Sequence, residues 1–434
     1  MNPPTICYLV TEDWYFWSHR IDLARAAMRA GYSVTLVARF TEHRARIEAE
    51  GIRCIPVAFV RSMGNPFAEL RLLFRLAQII KRESPAIVHA VAWKPMLLSA
   101  AAIVRCPNIQ FCHAVTGLGY LFIAPRPALR LLRALVSPVL RWLLGRSNCQ
   151  VIVQNDDDLA TLRAHRIVSP HNTVTIRGAG VDLTQFTAQP LPAPGSHWPT
   201  AAAVAADTMT ADTGAADRPA ADNGNPAHSA QTDAPVVLLP ARMLRDKGVY
   251  EFATAAGLLH ARGIAAVFAL VGGLDASNAA ALTHADMDAL LNAGHVQWWG
   301  HRTNMPAVYA RATVVCLPSY REGFPKALLE AAACGRPLVA TDVPGCRDIC
   351  RNGETGSLVP ARNAQALADA IAALLQQPAR CALYGAAARA LVEREFSSTI
   401  INAQTLALYR RLGGTSTTAH AGQVCPDAGA CDRR

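Results

Sequence analysis

The chain has 434 residues, of which 51% are hydrophobic, and its mean hydropathy is +0.16. This length suits two domains with buried cores better than one. No apolar run reaches the roughly 20 uncharged residues of a membrane-spanning helix, so the pattern excludes an integral membrane protein. The opening "TICYLV" runs straight into charged "TED", which predicts a first buried strand and no signal peptide.

The net charge of +10 is concentrated in the first half of the chain. Residues 1–186 contain 22 Lys and Arg against 12 Asp and Glu, whereas the remainder contains 20 of each. Any anionic partner is therefore expected to bind the first half. The twelve cysteines form no C-x-x-C pair and no cluster with zinc spacing, which favours reduced, buried thiols in a cytosolic protein.

Short apolar runs alternate with helical patterns along the first half. The predicted strands are "TICYLV", "SVTLVAR", "CIPVAFV", "AIVHAVA", "IQFCHAV", "CQVIVQN" and "TVTIRGAG". The predicted helices "RIDLARAAMRAG", "FAELRLLFRLAQIIKRES" and "DDDLATLRAHR" repeat apolar residues at spacings of three and four. This alternation predicts a parallel sheet that is covered by helices on both faces.

The composition changes between the halves and again at the end. Residues 187–234 are rich in Ala, Pro, Thr, Asp and Gly without periodicity, which predicts a disordered insertion or linker. The alternation then restarts with "VVLLPA", "AAVFALVGG", "VQWWG", "TVVCLPS", "PLVATD" and "GSLVP". We expect a second doubly wound α/β domain over residues 235–395 and a disordered tail over residues 413–434.

The stretch "SYREGFPKALLEAAACGRP" holds two glutamates at a strand's carboxyl end, where open α/β sheets bind ligands. Pro325 is expected to be the first helical residue, which places Glu322 in the loop and Glu330 inside the helix. An offset of eight residues keeps the two carboxylates from forming a close pair on one helical face. Free N–H groups at Lys326 and Ala327 form a ready phosphate site between them. The alternative is an exposed loop glutamate and a glutamate on the helix surface.

The stretch "LLPARMLRDKGVYEF" also runs from strand to loop to helix. Arg242 and Lys247 lie in this loop, where cations do little for folding. Two cations at a strand end suit a diphosphate leaving group, whose developing charge they would stabilise. The alternative is a pair of solvated loop charges.

Together, "PARMLRDKGVYEF", "LVGG" and the run from "GHRTNMPAVYA" to "NGETGSLVP" resemble the retaining glycosyltransferases of the GT-B fold, group 1/family 4. The resemblance covers nearly the whole chain outside residues 187–234 and the tail. It implies two Rossmann-like doubly wound parallel-sheet domains that face each other across a cleft. Residues 1–186 would bind the acceptor, residues 235–395 the nucleotide sugar, and a helix over residues 396–412 would pack back toward the N-terminal domain.

The resemblance also implies residue roles in the C-terminal domain. Glu322 would hold hydroxyls of the donor sugar, Glu330 would hold the ribose, and Arg242 and Lys247 would bind the diphosphate. The backbone that lines the sugar and diphosphate would come from Phe324, Pro325, Lys326 and Ala327. The loop near the base would contain Gly300, His301 and Arg302.

In the first half, "FCHAVTGLGYLF" places His113 at the strand end where the family's histidine approaches the donor sugar. The alternative is a structural histidine. The loop after the first strand, "TEDWYFWSHR", lacks the Gly-Gly pair that many relatives carry, which leaves its contact with donor or acceptor open. His19 and Arg20 could contact an acceptor phosphate or merely open a helix.

The same two stretches resemble transferases that add N-acetylhexosamine to undecaprenyl-diphosphate-linked saccharides of bacterial O-antigens, capsules or other surface glycans. This implies a UDP-sugar donor, a lipid-linked saccharide acceptor, and a cytoplasmic enzyme that is peripheral on the inner face of the membrane. Two basic and apolar helical stretches, residues 67–84 and 124–148, are typical of helices that bind anionic lipid. Ordinary domain helices with solvated arginines are the alternative.

Other classes of function are less supported. The "NDDD" run at residues 155–158 contains D-x-D, but it follows a strand and opens a helix, so helix capping explains it. We expect no metal and no cofactor, because GT-B relatives generally need no metal, and no nucleic-acid partner, because no such motif accompanies the charge. A non-catalytic GT-B partner that binds sugar nucleotide or lipid-linked sugar, and a GT-B epimerase, remain alternatives.

Overall fold

The computed structural model describes residues 3–59, 65–118, 122, 127–192, 234–276 and 278–418. Most of the predicted linker and the end of the predicted tail lie outside these residues. The chain forms two compact units. The first contains Met1–Val153, Ala160–Ile176 and Asn402–Arg434, and the second contains Gln154–Leu159 and Arg177–Ile401. Among the described residues, no helix is long and apolar enough to cross a membrane.

The first unit is built on a seven-stranded, fully parallel sheet with the order β3-β2-β1-β4-β5-β6-β7. Its strands are β1 (Thr5–Glu12), β2 (Ser33–Arg39), β3 (Arg53–Pro56), β4 (Ile87–Val91), β5 (Gln110–Val115), β6 (Cys149–Val153) and β7 (Thr173–Thr175). Every residue of β4 is buried, as expected of a strand that is covered on both faces.

Helices connect these strands. They are α1 (Asp13–His19), α2 (Ile21–Arg29), α3 (Arg44–Ala49), α4 (Pro66–Glu83), α5 (Trp93–Leu98), α6 (Ala100–Arg105), α7 (Pro127–Leu144) and α8 (Asp156–Ala164). Asn65 caps α4 by accepting from the Phe67 N–H, and Pro66 occupies the first helical position, where its missing N–H costs nothing.

The second unit is built on a six-stranded parallel sheet with the order β10-β9-β8-β11-β12-β13. Its strands are β8 (Val236–Pro240), β9 (Val267–Val271), β10 (Gln297–Trp298), β11 (Val314–Leu317), β12 (Leu338–Thr341) and β13 (Gly356–Val359). The two faces of this sheet support two separate apolar clusters, which include Leu328 on one side and Phe252 on the other.

The helices of the second unit alternate with its strands. They are α9 (Val249–Ala261), α10 (His284–Asn292), α11 (Met305–Arg311), α12 (Lys326–Ala333), α13 (Cys346–Ile349), α14 (Ala364–Leu375), α15 (Pro378–Leu391) and α16 (Ser398–Thr418). A short 3₁₀ turn covers Arg245–Lys247, and a π-helical turn covers Val392–Phe396. Both units therefore have the doubly wound α/β architecture that the sequence predicts.

The strand order reverses once in each sheet, and these reversals locate the crevices that doubly wound sheets use for ligands. In the first sheet the reversal lies between β1 and β4. In the second sheet it lies between β8 and β11. The loops that leave β8 and β11 at their carboxyl ends are the two loops with the predicted cations and the predicted glutamate.

The unit boundaries differ from the predicted boundary after residue 186, because residues 154–159 and 177–186 group with the second unit. In contrast, α16 belongs to the first unit from Asn402 onward. There its buried Tyr409 hydroxyl hydrogen-bonds the His89 imidazole and lies 3.2 Å from the Tyr8 hydroxyl. In the second unit, fully buried Arg336 donates to the carbonyls of Gln189, Pro190 and Ala312, which fixes the chain just before residues 193–233.

Candidate active site

The centre of the candidate site is an ion pair at the reversal point of the second sheet. Lys247 lies at the end of the turn after β8, and Glu322 lies in the loop after β11. Lys247 Nζ is 2.5 Å from Glu322 Oε1, and both side chains are mostly buried, with 19% and 11% of their surface exposed. The structure thus brings together two residues that the sequence places 75 positions apart.

Further hydrogen bonds connect the loop after β8 with the loop after β11. The Tyr320 N–H donates to the Asp246 carbonyl at 2.8 Å, and the Tyr320 hydroxyl donates to Glu251 of α9 at 2.7 Å. Gly248 ends the first turn with φ of 74°, and a Cβ there would lie 2.2 Å from the Pro318 carbonyl oxygen. Only glycine allows this approach, so the loops after β8 and β11 hold each other in a fixed relation.

Helix α12 begins one residue later than predicted. Pro325 is its N-cap, with extended φ and ψ of −74° and 112°, and Lys326 is its first residue. The prediction of Pro325 as the first helical residue is therefore wrong, but the N–H groups of Lys326 and Ala327 still begin the helix without intrahelical acceptors. Phe324 directs its ring to Phe396, at 5.2 Å between centroids, so it can face a ligand only with its backbone.

Glu330 lies on the first turns of α12 beside two partners. The Tyr309 hydroxyl is 3.1 Å from Glu330 Oε2, and Lys326 Nζ is 3.6 Å from Glu330 Oε1. Burial raises the pKa of the Glu330 carboxyl, while the Lys326 charge and the Tyr309 hydrogen bond oppose the rise. Glu322 and Glu330 thus have different partners and form no acid–base dyad.

Arg242 occupies the strand end as predicted but does not join the ion pair. Its guanidinium pairs with Asp275, which follows β9, and its side chain is 42% exposed. Asp275 therefore holds Arg242 at the same edge of the sheet as Lys247.

The loop with Gly300, His301 and Arg302 follows β10, the edge strand next to β9. The Gly300 carbonyl accepts from the Gly272 N–H at 2.9 Å, which ties the loop to the end of β9. Burial lowers the pKa of Arg302, and the nearby Arg311 charge lowers it further. Because β10 lies three strands from β11, the spacing of strands in a sheet separates this loop from the glutamate loop by about 14 Å.

His113 lies two residues before the carboxyl end of β5, within the predicted strand "IQFCHAV". Strand β5 continues to Val115, and His113 is fully buried within it, stacked on Phe111 at 6.1 Å between ring centroids. Neither ring nitrogen has a hydrogen-bond partner among the described residues. Burial lowers the pKa of His113 to about 3, so the ring is neutral and inaccessible in this conformation.

The two weaker candidates follow β1, at the reversal point of the first sheet. His19 is partly exposed, stacks on Tyr15 at 4.3 Å, and has Nδ1 2.6 Å from the Ser18 hydroxyl. Arg20 is 5% exposed, and its Nε has no hydrogen-bond partner among the described residues. His89 is also buried. Burial is the main cause that lowers the pKa of His89, and the positive charge of Arg20 lowers it further.

Two further features bear on the location of the site. A cavity of about 670 Å³ lies at the amino ends of β5, β6 and β7 of the first sheet, lined by Gln110, Gln150 and Thr173 among others, whereas doubly wound sheets bind ligands at the carboxyl ends of their strands. Within the described part of the chain, no group of three His, Cys, Asp or Glu side chains could hold a metal ion.

Three neighbours of the candidate residues were not predicted from the sequence. Asp275 positions Arg242, and Tyr309 contacts Glu330 from α11. The third is the start of α8, where Asn155 caps the helix by accepting from the Asp158 N–H at 2.7 Å, as predicted, but also donates to the Gly323 carbonyl. The run "NDDD" has more such residues than capping requires, but it does not indicate which distant segment they contact.

Comparisons with known proteins agree with this architecture. Residues 5–155 match the sequence model of the glycosyl transferase 4-like family, and residues 234–377 match that of the glycosyl transferases group 1. The chain is 26% identical over 395 residues, 91% of this chain and 95% of the relative, to the N,N'-diacetylbacillosaminyl-diphospho-undecaprenol alpha-1,3-N-acetylgalactosaminyltransferase of Campylobacter jejuni. It is 28% identical over 42% of its length to the capsular polysaccharide biosynthesis glycosyltransferase CapM of Staphylococcus aureus, of which 47% is covered.

Solved structures show the same fold. Sucrose-phosphate synthase from Thermosynechococcus elongatus is 22% identical, with a TM-score of 0.71 over 95% of this chain and 100% of that one. The Anabaena protein HepE, in complex with UDP and glucose, is 18% identical, with a TM-score of 0.68 over 93% and 99%. The doubly wound sheets are those of the GT-B fold, and the chain is a glycosyltransferase whose first half matches the 4-like model and whose second half matches the group 1 model.

Proposed function

We propose that this glycosyltransferase moves a hexose, in particular an N-acetylhexosamine, from a UDP-sugar to a lipid-linked saccharide with retention of anomeric configuration. The observation that carries the proposal is the Lys247–Glu322 pair at the reversal point of the second sheet, next to the N-terminus of α12. The similarity to the Campylobacter transferase, which spans 95% of that protein, favours an undecaprenyl-diphosphate acceptor and the N-acetylhexosamine.

The proposed donor site uses a different group for each part of a nucleotide sugar. The first N–H groups of α12 and the Lys247 ammonium would bind the diphosphate, with Arg242 beside them. Glu322 would accept hydrogen bonds from hydroxyls of the sugar, and Glu330 from those of the ribose. The base would lie toward Gly300, His301 and Arg302. The HepE structure, which contains UDP and glucose in a protein of this fold, favours UDP as the nucleotide.

The proposed reaction needs no nucleophile from the protein. The bond between the sugar's anomeric carbon and the diphosphate breaks, and the acceptor hydroxyl attacks on the same face. The acceptor proton passes to an oxygen of the leaving phosphate. Lys247 and the helix N-terminus would stabilise the charge that develops on this phosphate, a role that metal ions fill in other transferases. We therefore expect turnover without an added metal or cofactor.

An enzyme that acts on a lipid-linked acceptor would need a surface that faces the membrane, and an exposed apolar stripe supports placing that surface on the first unit. On α7 the side chains at Leu131, Leu135, Val139 and Trp142 share one face, at helical spacing, and are 58–66% exposed. The buried face of the same helix carries Leu140, Leu143 and Leu144. An exposed apolar stripe this long needs a partner.

Helix α4 carries a second stripe of the same kind. Phe67, Leu70 and Phe74 are exposed at spacings of three and four, and the Arg105 guanidinium of α6 lies 5.1 Å from the Phe74 ring centre. The cations that accompany the two stripes are Arg71, Arg75, Lys81, Arg82, Arg130, Arg133, Arg141 and Arg146; Arg126 lies outside the described residues. We propose that this apolar and basic surface binds anionic lipid, which would hold the enzyme at the inner face of the membrane.

The test is an assay of the purified protein with UDP-N-acetylgalactosamine, UDP-N-acetylglucosamine, UDP-glucose and GDP-mannose against bacterial lipid-linked saccharides. We expect one UDP-N-acetylhexosamine to extend the acceptor by the mass of one residue, with the anomeric configuration of the donor retained by NMR. EDTA should leave the rate unchanged. UDP-sugar binding without any product over the whole lipid-linked pool would overturn the proposal in favour of a binding protein, and an inverted product would overturn retention.

A further inference from the structure

The start of α8 reaches the loop that carries Glu322. Residues 154–159 belong to the second unit, so these contacts lie within one compact body. Asn155 Nδ2 donates to the Gly323 carbonyl at 2.8 Å. The Arg321 guanidinium donates to Asp158 Oδ1. The residues on both sides of Glu322 are therefore held by the first turn of one helix.

The pair of residues that holds this loop, Asn155 and Asp158, is itself rigid. Asn155 and Asp158 are both 0% exposed. Asn155 Oδ1 accepts from the Asp158 N–H at 2.7 Å, and Asn155 Nδ2 is 3.2 Å from Asp158 Oδ2. Each residue thus fixes the side chain of the other. A buried amide and carboxylate in such a closed arrangement are costly to rearrange, because each would lose a partner that water cannot replace.

Gly323 is also confined from its other side. A Cβ on Gly345, which has φ of 77°, would lie 2.3 Å from the Gly323 carbonyl oxygen. The Gly323 peptide is therefore packed against Gly345 and hydrogen-bonded to Asn155. Glu322, one residue earlier, has little freedom to move its backbone, and its carboxylate reaches Lys247 from this fixed position.

The neighbouring aspartates supply a contrast. Asp157 pairs with Arg347 at 3.3 Å, with about half of each side chain exposed, and Asp156 pairs with Arg177 at 2.8 Å with 70% of the aspartate exposed. Only Asp158 of the three is fully buried and bonded to the loop of Glu322. Helix capping by itself requires neither of these properties.

We propose that Asn155 and Asp158 are positioning residues that set the orientation of Glu322 toward the donor sugar, acting through Arg321 and the Gly323 carbonyl. The inference rests on the proposed function, in which Glu322 contacts the sugar. An error of about 1 Å in a positioned group can cost about 100-fold in rate. The pair therefore governs recognition of the sugar and not of the nucleotide.

The experiment measures the dissociation constants of UDP and of UDP-N-acetylgalactosamine by calorimetry on the full chain. Their ratio reports the contribution of the sugar without any need for turnover. We expect Asp158→Asn to reduce the difference between the two dissociation constants, so that their ratio moves at least about fivefold closer to one. The affinity for UDP itself should change by less than about twofold. Asp157→Asn is the matched control and should leave both constants unchanged. Asn155→Ser, which keeps a capping oxygen but is too short to reach Gly323, should behave like Asp158→Asn.

A second arm places Asp158→Asn in a Glu322→Gln background. If Asp158 acts through Glu322, the ratio in the double variant equals that of Glu322→Gln alone, because coupled residues are not additive. Additive effects would overturn the inference and leave a structural role for Asp158. If Glu322→Gln leaves the ratio unchanged while UDP still binds, the sugar contact of the proposed function fails first, and this inference fails with it. Melting temperatures of all variants check that they fold.

Discussion

Lys247 Nζ and Glu322 Oε1 lie 2.5 Å apart at the one place in the second sheet where the strand order reverses. Most of both side chains is buried. In many proteins such a close ion pair would serve only the structure. Here they stand beside the first turn of α12, whose free N–H groups attract phosphate. In the proposed function, Lys247 binds the diphosphate and Glu322 binds the sugar.

The first prediction concerns Lys247. Lys247→Met should lower kcat by about 10²–10³-fold, because it removes the charge that stabilises the leaving diphosphate. The measurement is the steady-state rate with the donor that the screen identifies. Arg245→Met is the control, since Arg245 lies in the same turn, is 60% exposed and only approaches Asp286 at 3.7 Å. A Lys247→Met enzyme with the rate of the control would contradict the assignment.

The second prediction concerns the pH dependence of donor binding through Glu330. Burial raises the pKa of its carboxyl, so it takes up a proton at a higher pH than an exposed glutamate would. A protonated carboxyl accepts hydrogen bonds from ribose hydroxyls poorly and loses its attraction to Lys326. The dissociation constant for UDP should therefore increase as the pH falls through this raised pKa.

Glu330→Gln separates this role from a structural one. The variant should bind UDP weakly at every pH, with the pH dependence reduced. Because a raised carboxyl pKa means that the folded state disfavours the ionised form, the variant should be no less stable than the parent at neutral pH. A clear loss of stability with unchanged UDP affinity would show that Glu330 serves the fold alone.

The third prediction concerns stability in acid. Burial lowers the pKa of His113 to about 3, whereas the reference value is 6.5. Between these values the unfolded chain binds the proton and the folded chain does not, so the free energy of unfolding must decrease as the pH falls below about 6.5. His113→Phe should flatten this decrease in urea titrations at pH 7 and pH 5.

The control for this experiment is His171→Phe, an exposed position in the same unit. It should keep the pH dependence of the parent. The two variants also test the proposed catalytic contact of His113, because a purely structural ring can be replaced by phenylalanine with the rate retained. A large loss of rate in a stable His113→Phe enzyme would instead support a polar contact with the sugar.

The fourth prediction concerns the stripe on α7. The double change Leu135→Glu and Trp142→Glu should abolish binding to vesicles that contain anionic phosphatidylglycerol, since it removes apolar burial and adds repulsion. Flotation with the parent protein should decrease at high salt. Leu383→Glu is the control, because Leu383 is 71% exposed and belongs to the second unit, whereas both stripes belong to the first. Equal flotation of the double variant and the control would contradict a membrane role for this face.

The sequence allowed the strands of both sheets to be predicted, and with them the edge of the second sheet at which the candidate residues lie. Apolar runs such as "VVLLP" and "VVCL" were recognisable because strands that are buried on both faces must be apolar throughout. The loops after them could then be placed at one edge of the sheet. The predictions for Arg242, Lys247, Glu322 and Glu330 depended only on this rule, together with the family resemblance.

Other predictions were wrong or incomplete where the outcome depends on tertiary packing. The strand of His113 ends at Val115 as predicted, but nothing in the run "FCHAV" indicated that the ring would be fully buried. Asn155 and Asp158 were assigned to helix capping alone, since nothing in "NDDD" specifies a bond to a loop 168 residues away. The partners of Arg242 and Glu330 come from other strands and helices, and the sequence did not predict them either.

By itself, the sequence determined the class of fold, the division into two sheets, and the edge of the second sheet that carries the candidate site. These follow from local periodicity, and from the rule that parallel strands present their carboxyl ends together. Only the tertiary structure decided which side chains meet: Lys247 with Glu322, Tyr309 with Glu330, and Asn155 with the peptide of Gly323. Such pairs depend on strand order and on contacts of a few ångströms between distant segments, which local patterns do not encode.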